Sequence, residues 1–89
     1  MKSRGTSRFW TRYYELPPEV REFARKAYLL FRENPAHPSL NFKKIHGYEP
    51  IYSIRVTRGY RALGLLEDGE ITWFWIGNHD DYDRLLAGL

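Results

Sequence analysis

The stretch Ile51–His79, IYSIRVTRGYRALGLLEDGEITWFWIGNH, constrains the fold more than any other part of the chain. Its apolar residues alternate, and alternation means strand. Tyr52, Ile54 and Val56 share one face; Ser53, Arg55 and Thr57 share the other. Arg58-Gly59 makes a turn into a second strand, Tyr60–Leu66. Glu67-Asp68-Gly69-Glu70 predicts a tight hairpin, because Asp-Gly supplies the positive φ angles of a type I′ turn. The third strand, Ile71–Ile76, is apolar on both faces, as expected of a covered strand. Consecutive antiparallel strands that hold arginines up to solvent form a plausible surface for a phosphodiester.

The remainder must cover this sheet. Leu16-Pro17-Pro18-Glu19 predicts a helix start, since proline is tolerated where an N–H has no intrahelical partner. Val20, Phe23, Ala24, Ala27, Tyr28 and Phe31 form one apolar stripe, and Asn34-Pro35 ends the helix. Phe9–Leu16, rich in aromatic residues, is expected to be a strand. Residues 1–6 are expected to be a flexible start. Residues 35–50 read as a connector with a short strand or turn at Leu40–Ile45. Asp80–Ala87 has the spacing of a short C-terminal helix. The expected architecture is a single α+β domain over residues 1–89.

At 89 residues without cysteine, the core has to come from packing alone. The aromatic content of 17% serves that need. No apolar run reaches the ~20 residues of a membrane span, and the basic N-terminus lacks a signal-peptide core. A soluble cytoplasmic protein is expected. The net charge of +3 is unevenly spread: Arg84 is the only Lys or Arg after residue 64. A basic body suits a polyanionic partner, nucleic acid or an acidic protein segment, although charge alone slightly favours the plainer reading of an ordinary small soluble protein.

Four groups could carry chemistry. Arg55 and Arg61, on adjacent strands, could grip one phosphate and stabilise its extra charge in a transition state; Arg58 lies between them. Exposed strand arginines more often pair with carboxylates, here Glu49, Glu67 or Glu70, and the pattern alone favours that plainer role. His79 follows the apolar strand and suits proton transfer near neutral pH. The carboxylates after it favour an acid role, protonating a leaving 5′ oxygen. Equally, His79 could be incidental to a helix start capped by Asn78 or Asp80. Lys43, Lys44 and His46 could meet a nucleic-acid backbone, and His37 reads as a loop residue. Among the aromatics, Tyr82 is the one expected to escape the core and stack on a base. No metal-ligand spacing, phosphate-binding glycine loop or serine-nucleophile motif is present, so metal-free acid/base chemistry without a cofactor is expected.

The order of these pieces resembles the RelE/ParE superfamily of type II toxin–antitoxin toxins. The resemblance is carried by LPPEVREFARKAYLLFRENPAHPSLNFKKIHG, IYSIRVTRGYRALGLL and WFWIGNHDDYDRLL. It implies a small twisted antiparallel sheet with an N-terminal helix or helical hairpin on one face and a short C-terminal helix. It implies either cleavage of mRNA in the ribosomal A site, with the RNA 2′-hydroxyl as nucleophile, or inhibition of DNA gyrase without nuclease activity. The first is the favoured expectation. An inactive relative that only binds its antitoxin is the remaining alternative. Implied partners are a cognate antitoxin, mRNA, ribosomal RNA and, within the toxin–antitoxin complex, operator DNA.

By this resemblance Arg61 matches the arginine that contacts the scissile phosphate, and Arg55 a basic position on the preceding strand. His79 matches the proton-transfer histidine of the YafQ-like branch. Ser53 departs from the family, standing where RelE has a catalytic lysine. Asp83 stands where the YafQ-like branch has an aromatic, and Tyr82 lies one position early. The general base is left open by these departures; Lys43, Lys44 and His46 are candidates for it.

Overall fold

A computed structural model of the chain describes every residue except His46, Tyr48, Glu49 and Leu89. The elements run β1 (Lys2–Gly5), α1 (Ser7–Tyr14), α2 (Pro18–Glu33), a short 3₁₀ turn (Pro38–Leu40), β2 (Lys43–Lys44), β3 (Ile51–Thr57), β4 (Tyr60–Glu67), β5 (Glu70–Asn78) and α3 (His79–Ala87). The five strands form one sheet in the order β1-β5-β4-β3-β2. It is antiparallel except where β1 joins β5 in parallel.

The three central strands follow the alternation of their sequence. The hairpin between β4 and β5 turns at Asp68 and Gly69, with φ of 52° and 75°. Glycine adopts that conformation without the Cβ clash that penalises other residues. In β5 the pairing shifts: Gly64 faces Trp73 but Leu63 faces Trp75. Phe74 is therefore the extra residue of a β-bulge. The bulge reverses the parity of the strand, so Trp73 and Ile76 face one core while Phe74 and Trp75 face the other.

Two readings of the N-terminal region are corrected. Ser7–Tyr14 is helix, in place of the strand expected over Phe9–Leu16. Thr6 caps it, its Oγ1 accepting the Phe9 N–H at 3.1 Å. Phe9, Tyr13 and Leu16 then fall on the inward side at helical spacing, so periodicity overrides the strand propensity of the aromatics. Residues 2–5, expected to be flexible, form β1. The Trp73 Nε1–H donates to Ser3 Oγ at 2.9 Å, and Thr6 N–H to the Trp73 carbonyl at 2.9 Å.

α2 starts at Pro18 as expected and ends at Glu33, with Asn34 as its C-cap. Val20, Ala24, Ala27 and Phe31 are buried, whereas Phe23 and Tyr28 of the expected stripe are exposed. The buried stripe is narrower because α2 meets the sheet along one line and α1 flanks it. α1 and α2 cover one sheet face around Phe31, Leu40, Ile54, Ile71, Trp73 and Ile76. α3 covers part of the other face, with Tyr82 against Ile45, Leu63 and Trp75. The part of that second face left uncovered holds the arginines.

Candidate active site

Arg55 on β3, Arg61 on β4 and Gly77 on β5 stand in one cross-strand row. Paired residues of antiparallel strands share a face, so both arginines rise on the side that α3 only partly covers. Arg55 is exposed and Arg61 half-buried. The Arg61 Nη1 donates to the carbonyls of Thr57 at 2.7 Å, Tyr60 at 3.0 Å and Arg58 at 3.2 Å. The β3–β4 turn thus holds the guanidinium by one nitrogen. Among the described residues no carboxylate pairs with it. Glu70 is taken by Arg4 at 3.2 Å, and Glu49 lies outside the described residues. Burial pushes the Arg61 pKa down, and the neighbouring Arg55 charge adds to this. Tyr82 and Asp83 act in the opposite sense. Two like charges held side by side with few counter-charges make a site that gains from an anion.

His79 opens α3 at the same end of the sheet. Its backbone N–H donates to the Gly59 carbonyl at 2.8 Å, which ties it to the turn that holds Arg61. Asn78 is the helix cap, its Oδ1 accepting the Asp81 N–H at 2.8 Å. Capping does not require the imidazole, so the side chain is left for other work. His79 Nδ1 lies 3.1 Å from Asp83 Oδ2, one helical turn on, and the side chain is 44% exposed. An Nδ1–H donated to the carboxylate leaves Nε2 as the nitrogen that can exchange a proton.

The other expected site residues divide. Tyr82 is corrected: it is only 7% exposed, its ring 6.3 Å from Trp75 and 5.8 Å from His79. The second core needed a large ring there, so Tyr82 supports the imidazole from below and is no stacking surface. Arg58 is exposed in the turn. Lys43 pairs with Ser53 and so shares the arginine face; Lys44 pairs with Tyr52 and faces the α1–α2 side. His46 lies outside the described residues.

Arg12 is the residue that sequence reasoning missed. From α1 its Nε donates to the Ile76 carbonyl at 2.8 Å, across 64 residues of chain. Its guanidinium carbon lies 4.9 Å from the centroid of the Trp75 ring. A Cβ at Gly77 would come within 2.8 Å of Arg12 Nη2 and 2.7 Å of Trp75. Glycine at 77 is what lets this arginine lie beside the row. The only signal available was the spacing of Phe9, Tyr13 and Leu16, which would have placed Arg12 on a helix.

The ParE-like toxin domain matches residues 18–84 of the chain. No curated protein matches it in sequence. Among solved structures, the RelB–RelE antitoxin–toxin complex from Methanococcus jannaschii matches with a TM-score of 0.73 at 20% identity, over 90% of this chain and 95% of that one. The isolated E. coli RelE toxin matches with a TM-score of 0.69 at 20% identity, over 99% and 98%. YafQ from E. coli matches with a TM-score of 0.69 at 10% identity, over 91% and 96%. These likenesses are of fold. These toxins share the fold, and the domain match over α2 through most of α3 makes this chain a member of the ParE-like toxin family within the RelE/ParE superfamily.

Proposed function

We propose that this toxin is an endoribonuclease that cuts mRNA on the translating ribosome without a metal ion. The observation that carries the reading is the His79–Asp83 pair at the same end of the sheet as Arg61, with His79 Nδ1 3.1 Å from Asp83 Oδ2 on an imidazole that is 44% exposed. A gyrase-binding protein has no use for such a pair. In the proposed reaction the RNA 2′-hydroxyl attacks the adjacent phosphorus and the bond to the 5′ oxygen breaks. The products are a 2′,3′-cyclic phosphate and a 5′-hydroxyl. Arg61 and Arg55 hold the phosphate and stabilise its developing charge. Protonated His79 gives its Nε2 proton to the leaving 5′ oxygen. Asp83 fixes the tautomer and steadies the imidazolium, acting as a positioning residue. Lys43 is on the same face as the arginines, and Arg58 is exposed in the β3–β4 turn. The base that takes the 2′ proton is left unassigned.

The protein partner in this reading is a cognate antitoxin, as in the RelB–RelE complexes that share the fold. The site of action is the cytoplasm, where ribosomes and mRNA are. No helix among the described residues is long and apolar enough to cross a membrane.

The test is induced expression in a bacterium with primer extension on an abundant mRNA. New 5′ ends that require translation of that mRNA are expected within minutes of induction. Growth arrest with intact mRNA and stalled replication would replace this reading with the gyrase one, and no arrest would mark an inactive relative. Arg61→Lys offers a finer check. It retains charge but loses the planar fork that matches phosphate oxygens. Single-turnover cleavage is expected to fall about tenfold, the worth of one good charge-assisted hydrogen bond. An unchanged rate would remove Arg61 from the phosphate.

A further inference from the structure

Tyr82 is buried and so does not offer the ring beside His79 on which a base could rest. A cleft of about 190 Å³ next to it supplies a different surface. Its walls include Arg12, Glu15, Tyr60, Gly77, Asn78 and Asp81. Trp75 is not among them, because the Arg12 guanidinium lies over the indole and takes its place at the wall. The guanidinium is pinned by one bond, Nε to the Ile76 carbonyl. Among the described residues its terminal nitrogens have no acceptor, so the group is held without being consumed. Guanidinium planes are established platforms for unpaired bases.

The acids of the cleft set its chemistry. The Glu15 carboxylate has no partner among the described residues, and Asp81 is shared with Arg84 at 3.1 Å. Carboxylates beside a cationic platform repel a phosphate but accept hydrogen bonds from amino groups on base edges. Gly77 and Asn78 join the cleft to the phosphate row, Gly77 through its pairing with Arg61 and Asn78 as the residue before His79.

We propose that this cleft is a nucleobase pocket, in which Arg12 resting on Trp75 is the platform and Glu15 with Asp81 accepts from the exocyclic amino group of the base. It receives one base adjoining the scissile phosphate, and it favours amino-bearing bases over uracil. The assignment rests on the ribonuclease reading above.

The experiment uses ribosomes programmed with synthetic mRNAs that carry each base, or an abasic residue, on either side of the cut. Wild-type protein is expected to cleave amino-bearing bases about tenfold faster than uracil at one of these positions. E15Q gives the wall an N–H that uracil oxygens can accept, so the ratio should fall toward unity. Glu15 is exposed at the end of α1, so E15Q should leave the thermal midpoint in place. R12Q should slow all four bases about tenfold, since stacking is sequence-tolerant. The abasic mRNA should slow wild-type protein similarly, yet slow R12Q no further. A purely structural Arg12 would make those two losses additive. Additive losses, or an E15Q ratio equal to wild type, would overturn the pocket and leave the nuclease reading standing. Wild-type protein that cuts no mRNA would overturn both.

Discussion

His79→Ala is expected to lower mRNA cleavage about 10²- to 10⁴-fold, the range lost when a positioned general acid is removed. The fold should survive the change. The imidazole is nearly half exposed, the Gly59 contact is made by its backbone, and Asn78 supplies the helix cap. A surface substitution of this kind shifts stability within about 0.5 kcal/mol. Single-turnover cleavage on programmed ribosomes, run beside a thermal melt, separates the two effects. A folded His79→Ala protein that cleaves at the wild-type rate would end the proton-transfer assignment. Asp83→Asn should give a smaller loss at unchanged substrate affinity. An asparagine side chain can present its amide to Nδ1 and so favour the wrong tautomer. If Asp83 were only a surface residue, Asp83→Asn would match wild type at every pH.

The parts of this site that could be read in advance are those built from local pattern. Arg55 and Arg61 announce their shared face by strand alternation, and the Arg58-Gly59 turn joins the two strands that carry them. His79 follows from the end of an apolar strand and the start of a helical spacing. Three things were hidden, each because it depends on contacts far apart in the chain. β1 has no apolar pattern of its own; it exists because β5 has an open edge and Trp73 reaches Ser3. The bulge at Phe74 falls in a run that is apolar on both faces, so its reversal of parity leaves no trace in the pattern. That reversal turns Trp75 toward α3, which buries Tyr82 and gives Arg12 its resting surface. Arg12 itself could not be seen while its segment was taken for a strand. The aromatic residues that suggested the strand are the ones that anchor the helix.

Phe31→Ala is expected to be the most damaging single change to the fold, destabilising it by about 3–5 kcal/mol. Phe31 is fully buried at the C-terminal end of the α2 stripe. Its ring meets Phe42 at 5.1 Å and Trp73 at 5.3 Å, both edge to face, and Phe42 stacks on Tyr52 at 4.9 Å. Truncation therefore removes a large apolar area and also the central member of an aromatic chain that joins α2, β3 and β5. The cavity would be lined by rigid rings with little freedom to collapse into it, which places the loss toward the upper part of that range. A domain of this size has a stability of about 5–15 kcal/mol, so the melting temperature should fall by roughly 10–40 °C. Phe31→Leu, which retains most of the apolar volume, should recover much of it. Chemical denaturation followed by tryptophan fluorescence reads both, since Trp73 reports on the same core. A loss below about 1 kcal/mol for Phe31→Ala would contradict the packing described, since truncating a buried Phe to Ala costs about 3–5 kcal/mol. The effect should be separable from catalysis. Phe31 lies on the sheet face opposite the arginine row, so protein that remains folded at low temperature should cleave at close to the wild-type rate, whereas His79→Ala protein should be equally impaired at every temperature at which it is folded.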